Sequence, residues 1–527
     1  MPLSRREMLA FGMISGGALL LPLERSVFAA GQSRLAESAL PAPFTVPFSV
    51  PPVAMKVNSV GTTDYYSLTM REQATEILPG FQTRIWGYDG SFPGPTFDVQ
   101  QGREVVVRQT NQLPHAHPTL GYTPFTSTHL HGSASLPQYD GYASDVTYPG
   151  SWKDYRYPNS QGCRTLWYHD HGVHHTAPNV YMGLAGMYRM HDSVEQSLSI
   201  PQGRYDVPLI VTDAMFDTRG QLLYDDDDQS GLFGDVILVN GRPWPVMKVE
   251  RRKYRFRILN ASISRTYRWR LDSGEPLVVI GTDAGLTAAP QSVPSLLHGN
   301  AERYEVIIDF AKYKIGRRVI LRNVSPNNNV DYTHTGKVMA FDVVAQASTT
   351  SNNSIPSVLS PYNAIMGLTP TATTPTRKMA LVRQGGQWTI NGQTWADVEA
   401  SAYTRALANP ALNAVEIWEI RNDSGGWHHP LHIHLVDFKI LDRQIDLSGI
   451  WVAARPHERG PKDVVHVGEN ERVRLITRFG PHPGRYMIHC HNLVHEDHDM
   501  MGQFTVGEGG YDPITTAPAQ PLPAPEL

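Results

Sequence analysis

The sequence predicts an all-β protein of three domains, and three observations carry that expectation. The chain has 527 residues, enough for about three domains of ~150 residues each. Its apolar segments are short and alternate in polarity, separated by turns that draw on 44 Gly and 40 Pro, while helical periodicity is scarce. A strand-like motif also recurs: Gly102 leads through an alternating segment to Asn111, Arg251 to Asn260, and Asn413 to Asn422, nine residues on in each case. One copy per proposed domain fits three versions of one β-fold.

Taken in order, the chain opens on what reads as an export signal at residues 1–30. Ser4-Arg5-Arg6-Glu7-Met8-Leu9 is a twin-arginine pattern, and Val27-Phe28-Ala29 offers a small-residue cleavage site. The apolar run at 8–23 is short and interrupted by Gly12, Gly16 and Gly17, so it is not expected to span a membrane. No later stretch is long and apolar enough to do so. The mature protein is therefore expected in a periplasm or outside the cell. After a Pro-rich lead-in at 41–52, the first domain is placed at 45–195, with Gly90-Ser91-Phe92-Pro93-Gly94-Pro95-Thr96 as turn chemistry between strands. The second is placed at 200–345, where the acidic run 225–228 reads as a solvated loop. Residues 346–378, rich in Ser, Thr, Asn and Pro, read as a linker. The third domain follows at 379–510, and 511–527 reads as a disordered tail.

Composition narrows the partners. A net charge of −4 with 18% charged residues gives no sign of a nucleic-acid partner or a basic membrane face. Cys163 and Cys490 are the only cysteines, too few for a disulfide framework if Cys490 has another role. Cys163 reads as a small buried hydrophobe.

Cys490 lies in the most informative stretch, Tyr486-Met487-Ile488-His489-Cys490-His491, followed by His495-Glu496 and Met500. A thiolate, imidazoles and a weak thioether form the ligand set of a blue-copper electron-transfer site. Structural zinc sites draw on several Cys or a Cys/His quartet and have no use for Met. Tyr486-Met487-Ile488 reads as a buried strand, on which alternate side chains point to opposite faces. His489 and His491 then share one face and Cys490 takes the other. His498 falls off this ligand spacing and reads as a supporting or surface residue.

Four His-X-His pairs occur: His129/His131, His169/His171, His432/His434 and His489/His491. With His429 and His495 they account for ten of the 22 His, and none lies in the second domain. Two pairs in the first domain and two in the third are most simply joined in one metal cluster at their interface. Imidazole suits copper, which heads the divalent affinity order.

These motifs resemble the multicopper oxidases, most of all the bilirubin oxidases. The segments that carry the resemblance are Ser127-Thr128-His129-Leu130-His131-Gly132, Leu166-Trp167-Tyr168-His169-Asp170-His171-Gly172, Trp427-His428-His429-Pro430-Leu431-His432-Ile433-His434 and the run from His489 to Met501. The resemblance implies three Greek-key β-barrel domains of the cupredoxin type. It implies a type 1 copper on His429, Cys490, His495 and Met500, and a type 2 copper on His129 and His432. It implies a type 3 copper pair on His131, His169, His171, His434, His489 and His491. The implied reaction takes single electrons from a small reducing substrate, at the His495 edge, and passes them through Cys490 to His489 and His491. Dioxygen is reduced to water. Glu496 and Asp140 match the family's acids near the cluster, and burial is expected to raise the Glu496 carboxyl towards working pH. Trp427 matches an aromatic beside the blue copper, with core packing as the competing reading.

The reading is thus an exported, monomeric oxidase of phenols, aromatic amines or tetrapyrroles of the bilirubin type. The alternatives are a metallo-oxidase of Cu(I), Fe(II) or Mn(II), against which the scattered Met residues weigh, and a non-catalytic exported scaffold, against which the intact ligand set weighs.

Overall fold

The fold is that of a computed structural model, in which residues 33–527 are described apart from Asp228, Pro361, Tyr362 and Ser448. The expected export signal lies outside the described residues. Six sheets form among the described residues, two in each third of the chain. Every helix among the described residues is short, none exceeding seven residues.

In the first third, a sheet of Lys56–Val60, Thr63–Thr75, Glu104–Gln112 and Ser151–Tyr157, with Thr83–Tyr88 attached, faces a sheet of Gly94–Gln100, Ala185–His191, Arg164–Asp170 and Thr128–His131. Their inner faces meet in an aromatic core that includes Tyr66, Trp86, Phe97, Leu130, Tyr155, Leu166 and Tyr168. Alternation explains the membership: Leu130, Leu166 and Tyr168 point inward, while His129, His131 and His169 between and beside them point out. The last third repeats the plan. A sheet of Val464–Val467, His429–Ile433, Gly484–Cys490 and Met501–Val506 packs on a six-stranded sheet through Leu431, Ile433, Tyr486, Ile488, Cys490 and Phe504. The middle third is a seven-stranded and a five-stranded sheet around a core that extends into both neighbours, reaching Trp167, Val180 and Ala185 on one side and Leu493 and Val494 on the other.

The repeated Asn has one job in all three copies. It ends Lys253–Asn260 and Val415–Asn422 and lies one residue from the end of Glu104–Gln112. Its side-chain oxygen accepts from the backbone N–H two residues on, at Leu113, Ser262 and Ser424. Its amide donates to two carbonyls: Pro124 and Thr147, Arg265 and His298, Trp427 and Gly468. This Asx turn ties off the strand and fixes the loop beyond it.

The C-terminal segment, expected to be disordered, is an ordered strap. Asp512 pairs with Arg485 at 2.5 Å, Gln520–Pro521 adds an edge strand beside Ser151–Tyr157, and Arg108 donates to the Pro525 carbonyl. The composition misleads here because Pro is tolerated on an edge strand, where its missing N–H faces away from the ladder. The strap also covers an edge that would otherwise be open. The described residues of the expected linker are irregular up to the strand Thr376–Gln384, but held: the buried Arg252 guanidinium donates to the carbonyls of Thr349, Ser351 and Asn352, and Leu359 is fully buried.

A buried ionic network joins the first and middle thirds, with Arg255 and Arg257 set among Glu195, Asp206 and Glu305. At its rim the two ring nitrogens of His191 stand 2.6 Å from Glu195 and 2.6 Å from Asp98. Among the described residues no helix is long and apolar enough to cross a membrane.

Candidate metal centres

One sheet of the last third carries two groups of metal-ligating side chains, one on each face. In the antiparallel pair of His429–Ile433 and Gly484–Cys490, Leu431 is opposite Cys490 and His432 is opposite His489. Strand alternation sends His429 and Cys490 into the domain's own core and His432 and His489 out of it. The strand stops at Cys490, and the His491 N–H donates to the Pro430 carbonyl at 2.6 Å, which holds it on the outer side. The first third presents a matching surface, with His129 opposite His169 and His131 opposite Trp167.

Where the two surfaces meet, eight imidazoles converge, all at most 1% exposed. Three sets of ligand atoms each lie within 4.8 Å of one another: His131, His169 and His491; His171, His434 and His489; and His129, His131 and His432. The Nε2 atoms of His171 and His434 are each 3.1 Å from His489 Nε2, and those of His129 and His432 are 3.3 Å apart. With metal–nitrogen bonds of about 2.0–2.1 Å, such separations suit ligands sharing an ion.

The other ring nitrogen of most of these residues is anchored, which fixes the tautomer and aims the free nitrogen inward. Nδ1–H of His129, His169 and His432 donates to the carbonyls of Asp140, Asp170 and Asp463. His131 is reversed: its Nε2 is 3.1 Å from Asp463 Oδ1, so Nδ1 is the free atom. His131 Nδ1, His169 Nε2 and His491 Nε2 have no hydrogen-bond partner although buried, and all three belong to one set. Orphaned, converging nitrogens are what a metal would satisfy. Burial, reinforced by neighbouring imidazoles, pushes His129, His131, His434 and His491 well below the usual value of 6.5. The burial favours the neutral imidazole, the form that can bind a metal.

On the core side, His429 Nδ1 lies 3.3 Å from Cys490 Sγ and 3.3 Å from His495 Nδ1. Met500 is fully buried, and its backbone bonds to Cys490 and His495, accepting from Cys490 N and donating to His495 O. Burial pushes the Cys490 thiol well up. A thiolate here therefore needs a bound cation, which deprotonates a coordinating thiol outright. His429 Nε2 is held by Ser424 Oγ at 2.8 Å, and the Ser424 N–H and hydroxyl are themselves held by Asn422, the repeated Asn of this domain.

Carboxylates ring the imidazole cluster. Asp140 Oδ2 is 2.7 Å from His434 Nδ1. The loop that carries Asp140 presses against the His129 strand: at Gly141, with φ +75°, a Cβ would come within 2.5 Å of the Thr128 carbonyl, so only glycine fits. Burial raises the Asp140 carboxyl well above the usual value. Glu496 stands 2.8 Å from His489 Nδ1 and 3.5 Å from His171 Nε2. It faces the cluster from the short helix Leu493–Asp497, not from a continuing strand as its neighbours suggest. The expected rise of its carboxyl does not occur. Burial pushes it up, but the adjacent His489 and His171 outweigh burial and hold it below the usual range. Asp140, with no such neighbour prevailing, is the acid that keeps its proton to higher pH.

Several supporting residues gave no sequence signal. Asp463 orients His131 and is gripped by both terminal nitrogens of Arg303, at 2.7 and 2.5 Å, so the middle third reaches the cluster through a guanidinium. Removing one partner of such a buried pair costs roughly 3–5 kcal/mol. Trp388 stacks on His495 with ring centroids 3.8 Å apart, and Trp427 meets the same ring edge-on at 5.7 Å. His495 itself is fully buried, its Nε2 donating to the Ser230 carbonyl at 3.2 Å. The expected open His495 edge is thus covered, and half-buried Trp427 is the outermost of the three rings. His498 lies away from the ligands, 3.0 Å from Asp226. Cys163 is buried against Ile200, Ile280 and Leu286.

Comparison with known proteins agrees with this geometry. Three family models, each described as multicopper oxidase, match residues 69–195, 180–343 and 369–510. The chain is 42% identical over 481 residues to a bilirubin oxidase of Albifimbria verrucaria, covering 88% of this chain and 81% of that protein. It is 34% identical to a laccase of Bacillus subtilis, covering 83% and 93%. A crystal structure of a laccase from Pediococcus acidilactici superposes with a TM-score of 0.78 at 29% identity, covering 89% of this chain and 95% of that one. The fold is all-β with three cupredoxin-like domains, and the chain belongs to the multicopper oxidase family, enzymes that couple copper-dependent oxidation to dioxygen.

Proposed function

We propose that His429, Cys490, His495 and Met500 hold a type 1 copper, that His129 and His432 hold a type 2 copper, and that His131, His169, His171, His434, His489 and His491 hold a type 3 pair. One observation carries this reading: Cys490 and His489 are adjacent residues of a single strand, with side chains in different ligand groups. When bound, copper supplies one-electron transfer at the first group and reduction of dioxygen to water at the second. The remaining work belongs to the chain. The Cys490 and His489 backbone gives the two groups a short covalent connection. The imidazoles stay aligned because most of their outward nitrogens are anchored. Asp140, its carboxyl raised by burial, holds a proton beside His434, and Glu496 passes protons on from beside His489 and His171.

The reducing substrate is a phenol, an aromatic amine or a bilirubin-type tetrapyrrole, which meets Trp427 first because His495 is covered. The printed names of the relatives, bilirubin oxidase and laccase, support this class. The test is a screen of the copper-loaded protein with bilirubin, a phenol and Fe(II) side by side. Oxidation of the two organic donors well ahead of Fe(II) is expected. Preference for Fe(II) would assign a metallo-oxidase instead. We also propose that the protein is exported folded by the twin-arginine route and works as a monomer in a periplasm or outside the cell, on the strength of Arg5-Arg6 and the apolar run after them. Replacing both arginines with lysine should trap it in the cytoplasm.

A further inference from the structure

A cavity of about 30 Å³ lies between the first and middle thirds of the chain, walled by Phe92, Val180, Ala185, Ile210, Leu238 and Ala261. One water needs about 10–15 Å³ by this measure, so the space suits a molecule of two heavy atoms. Its lining is mostly apolar: Thr212 and Tyr181 also border it, the Tyr181 hydroxyl being bonded to the Met215 and Leu223 carbonyls, and one corner is charged. There Asp213 accepts from Arg265 Nε and Gly234 N through Oδ2, and Oδ1 has no protein partner. That corner suits a water; the rest does not.

The cavity borders the imidazole cluster. Ala185 is the register partner of the cluster residue His169. Partners across an antiparallel pair point to the same face with Cβ atoms about 4.5–5.5 Å apart. The Ala185 methyl in the cavity wall is therefore the immediate neighbour of a cluster side chain. Ile263, also in the wall, accepts from the N–H of Leu493, two residues after His491. Trp167, Val180, Ala185, Ile263 and Leu493 belong to one continuous apolar core, and Trp167 stacks on His169 at 4.1 Å. The residues that separate cavity and cluster here, Ala185 and Trp167, are apolar.

The outer wall is different. Phe92 is only half-buried, and two glycines make room for it. A Cβ at Gly183 (φ +125°) would stand 2.6 Å from the Phe92 ring, and one at Gly241 (φ +74°) 2.6 Å from the Phe92 carbonyl. The aromatic ring is therefore a thin cover between solvent and an apolar space one residue from the cluster.

We infer that this cavity is a holding site for dioxygen, reached past Phe92 and emptied past Ala185 towards the cluster. The inference rests on the reading of the chain as a dioxygen-reducing oxidase. Dioxygen is apolar and small, so it gains by leaving water for a preformed dry space, and apolar cavities take up gases such as xenon.

Xenon is the probe. Crystals of the copper-loaded wild type, pressurised with xenon, should show it between Ala261 and Ala185. In solution, xenon should raise the KM for dioxygen while kcat at saturating dioxygen stays the same. Ala261→Leu fills the space and should raise the KM for dioxygen at least fivefold, with anaerobic reduction of the blue band by ferrocyanide unchanged. A cavity holding only ordered water, or a KM for dioxygen within twofold of untreated wild type in both the xenon-treated protein and Ala261→Leu, overturns the inference. The wild-type xenon experiments decide it even if Ala261→Leu does not fold. Copper-loaded protein that consumes no dioxygen with any donor would refute the oxidase reading itself.

Discussion

At the core-side group, the ring nitrogens that turn away from the ligand set meet a hydroxyl, Ser424, and a backbone carbonyl, Ser230. At the interface cluster three of them meet backbone carbonyls, as at the core-side group, but three more meet carboxylates: Asp140 beside His434, Asp463 beside His131 and Glu496 beside His489. The two groups share a strand and differ in this respect. Moving an electron from a donor needs no proton at the receiving site, and neutral contacts preserve ligand geometry without adding charge. Reducing dioxygen to water consumes protons inside a space that bulk water does not reach freely, and a carboxyl that can gain and lose a proton supplies them. The surroundings of each group match the half of the reaction proposed for it.

The largest expected effect comes from removing the core-side group. Cys490→Ser should abolish the blue absorption and steady-state oxygen uptake, while copper remains at the interface imidazoles. Visible spectroscopy with copper analysis checks this, and a variant of undiminished colour would break the comparison at its root. Next are the carboxylates. Asp140→Asn and Glu496→Gln should load copper and stay blue, yet oxygen uptake should fall at least about tenfold, given that acid–base groups contribute ~10²–10⁴. An oxygen electrode reads the loss. Because Asp140 is the group raised by burial and Glu496 the one held down by His489 and His171, Asp140→Asn should alter the alkaline side of the pH profile more than Glu496→Gln does.

The convergence of these His and Cys side chains was legible because a strand has a period of two. Any His-X-His on it presents both rings to one face, and a Cys between two His must point the other way. The three Asn repeats were legible for a similar reason, since each closes an alternating strand. Asp463, Arg303 and Trp388 were not legible: they reach the sites from distant segments, and nothing in their immediate neighbours distinguishes them; Ser424 is only five residues before His429 but lies in a loop with no period to read. The direction of the Glu496 shift was missed because it depends on His489, brought beside it by the turn into the short helix, and on His171 from the other side of the interface. The tail was misread because composition does not report an open sheet edge waiting to be covered.

A smaller effect sharpens the electron-transfer half. Met500→Leu should keep the blue colour and raise the reduction potential, because a thioether that donates weakly to the oxidised metal is lost. Redox titration decides it, and an unchanged or lower potential counts against Met500 as a ligand. The smallest effect concerns the fold away from both groups. Burial opposes protonation of His191, but hydrogen bonds to Asp98 and Glu195 prevail and raise its value above 6.5. A raised histidine contributes stability that is fully present below about pH 6.5, the unfolded value, and is lost as pH rises through the folded value. The thermal midpoint of the wild type should therefore fall as pH rises across that window. His191→Gln should flatten the fall without changing the colour. An equal slope in both proteins would remove His191 from the account.

The central claim, that proton supply belongs to the interface cluster and not to the core-side group, has one direct measurement. Ferrocyanide gives up an electron without a proton, so anaerobic stopped-flow reduction of the blue band isolates the first half-reaction, and oxygen uptake with the same donor reports the whole. In Asp140→Asn the anaerobic rate should equal that of the wild type and stay flat across the neutral pH range, while oxygen uptake falls at least about tenfold. A parallel slowing of both rates would contradict the division of labour between the two faces of the sheet.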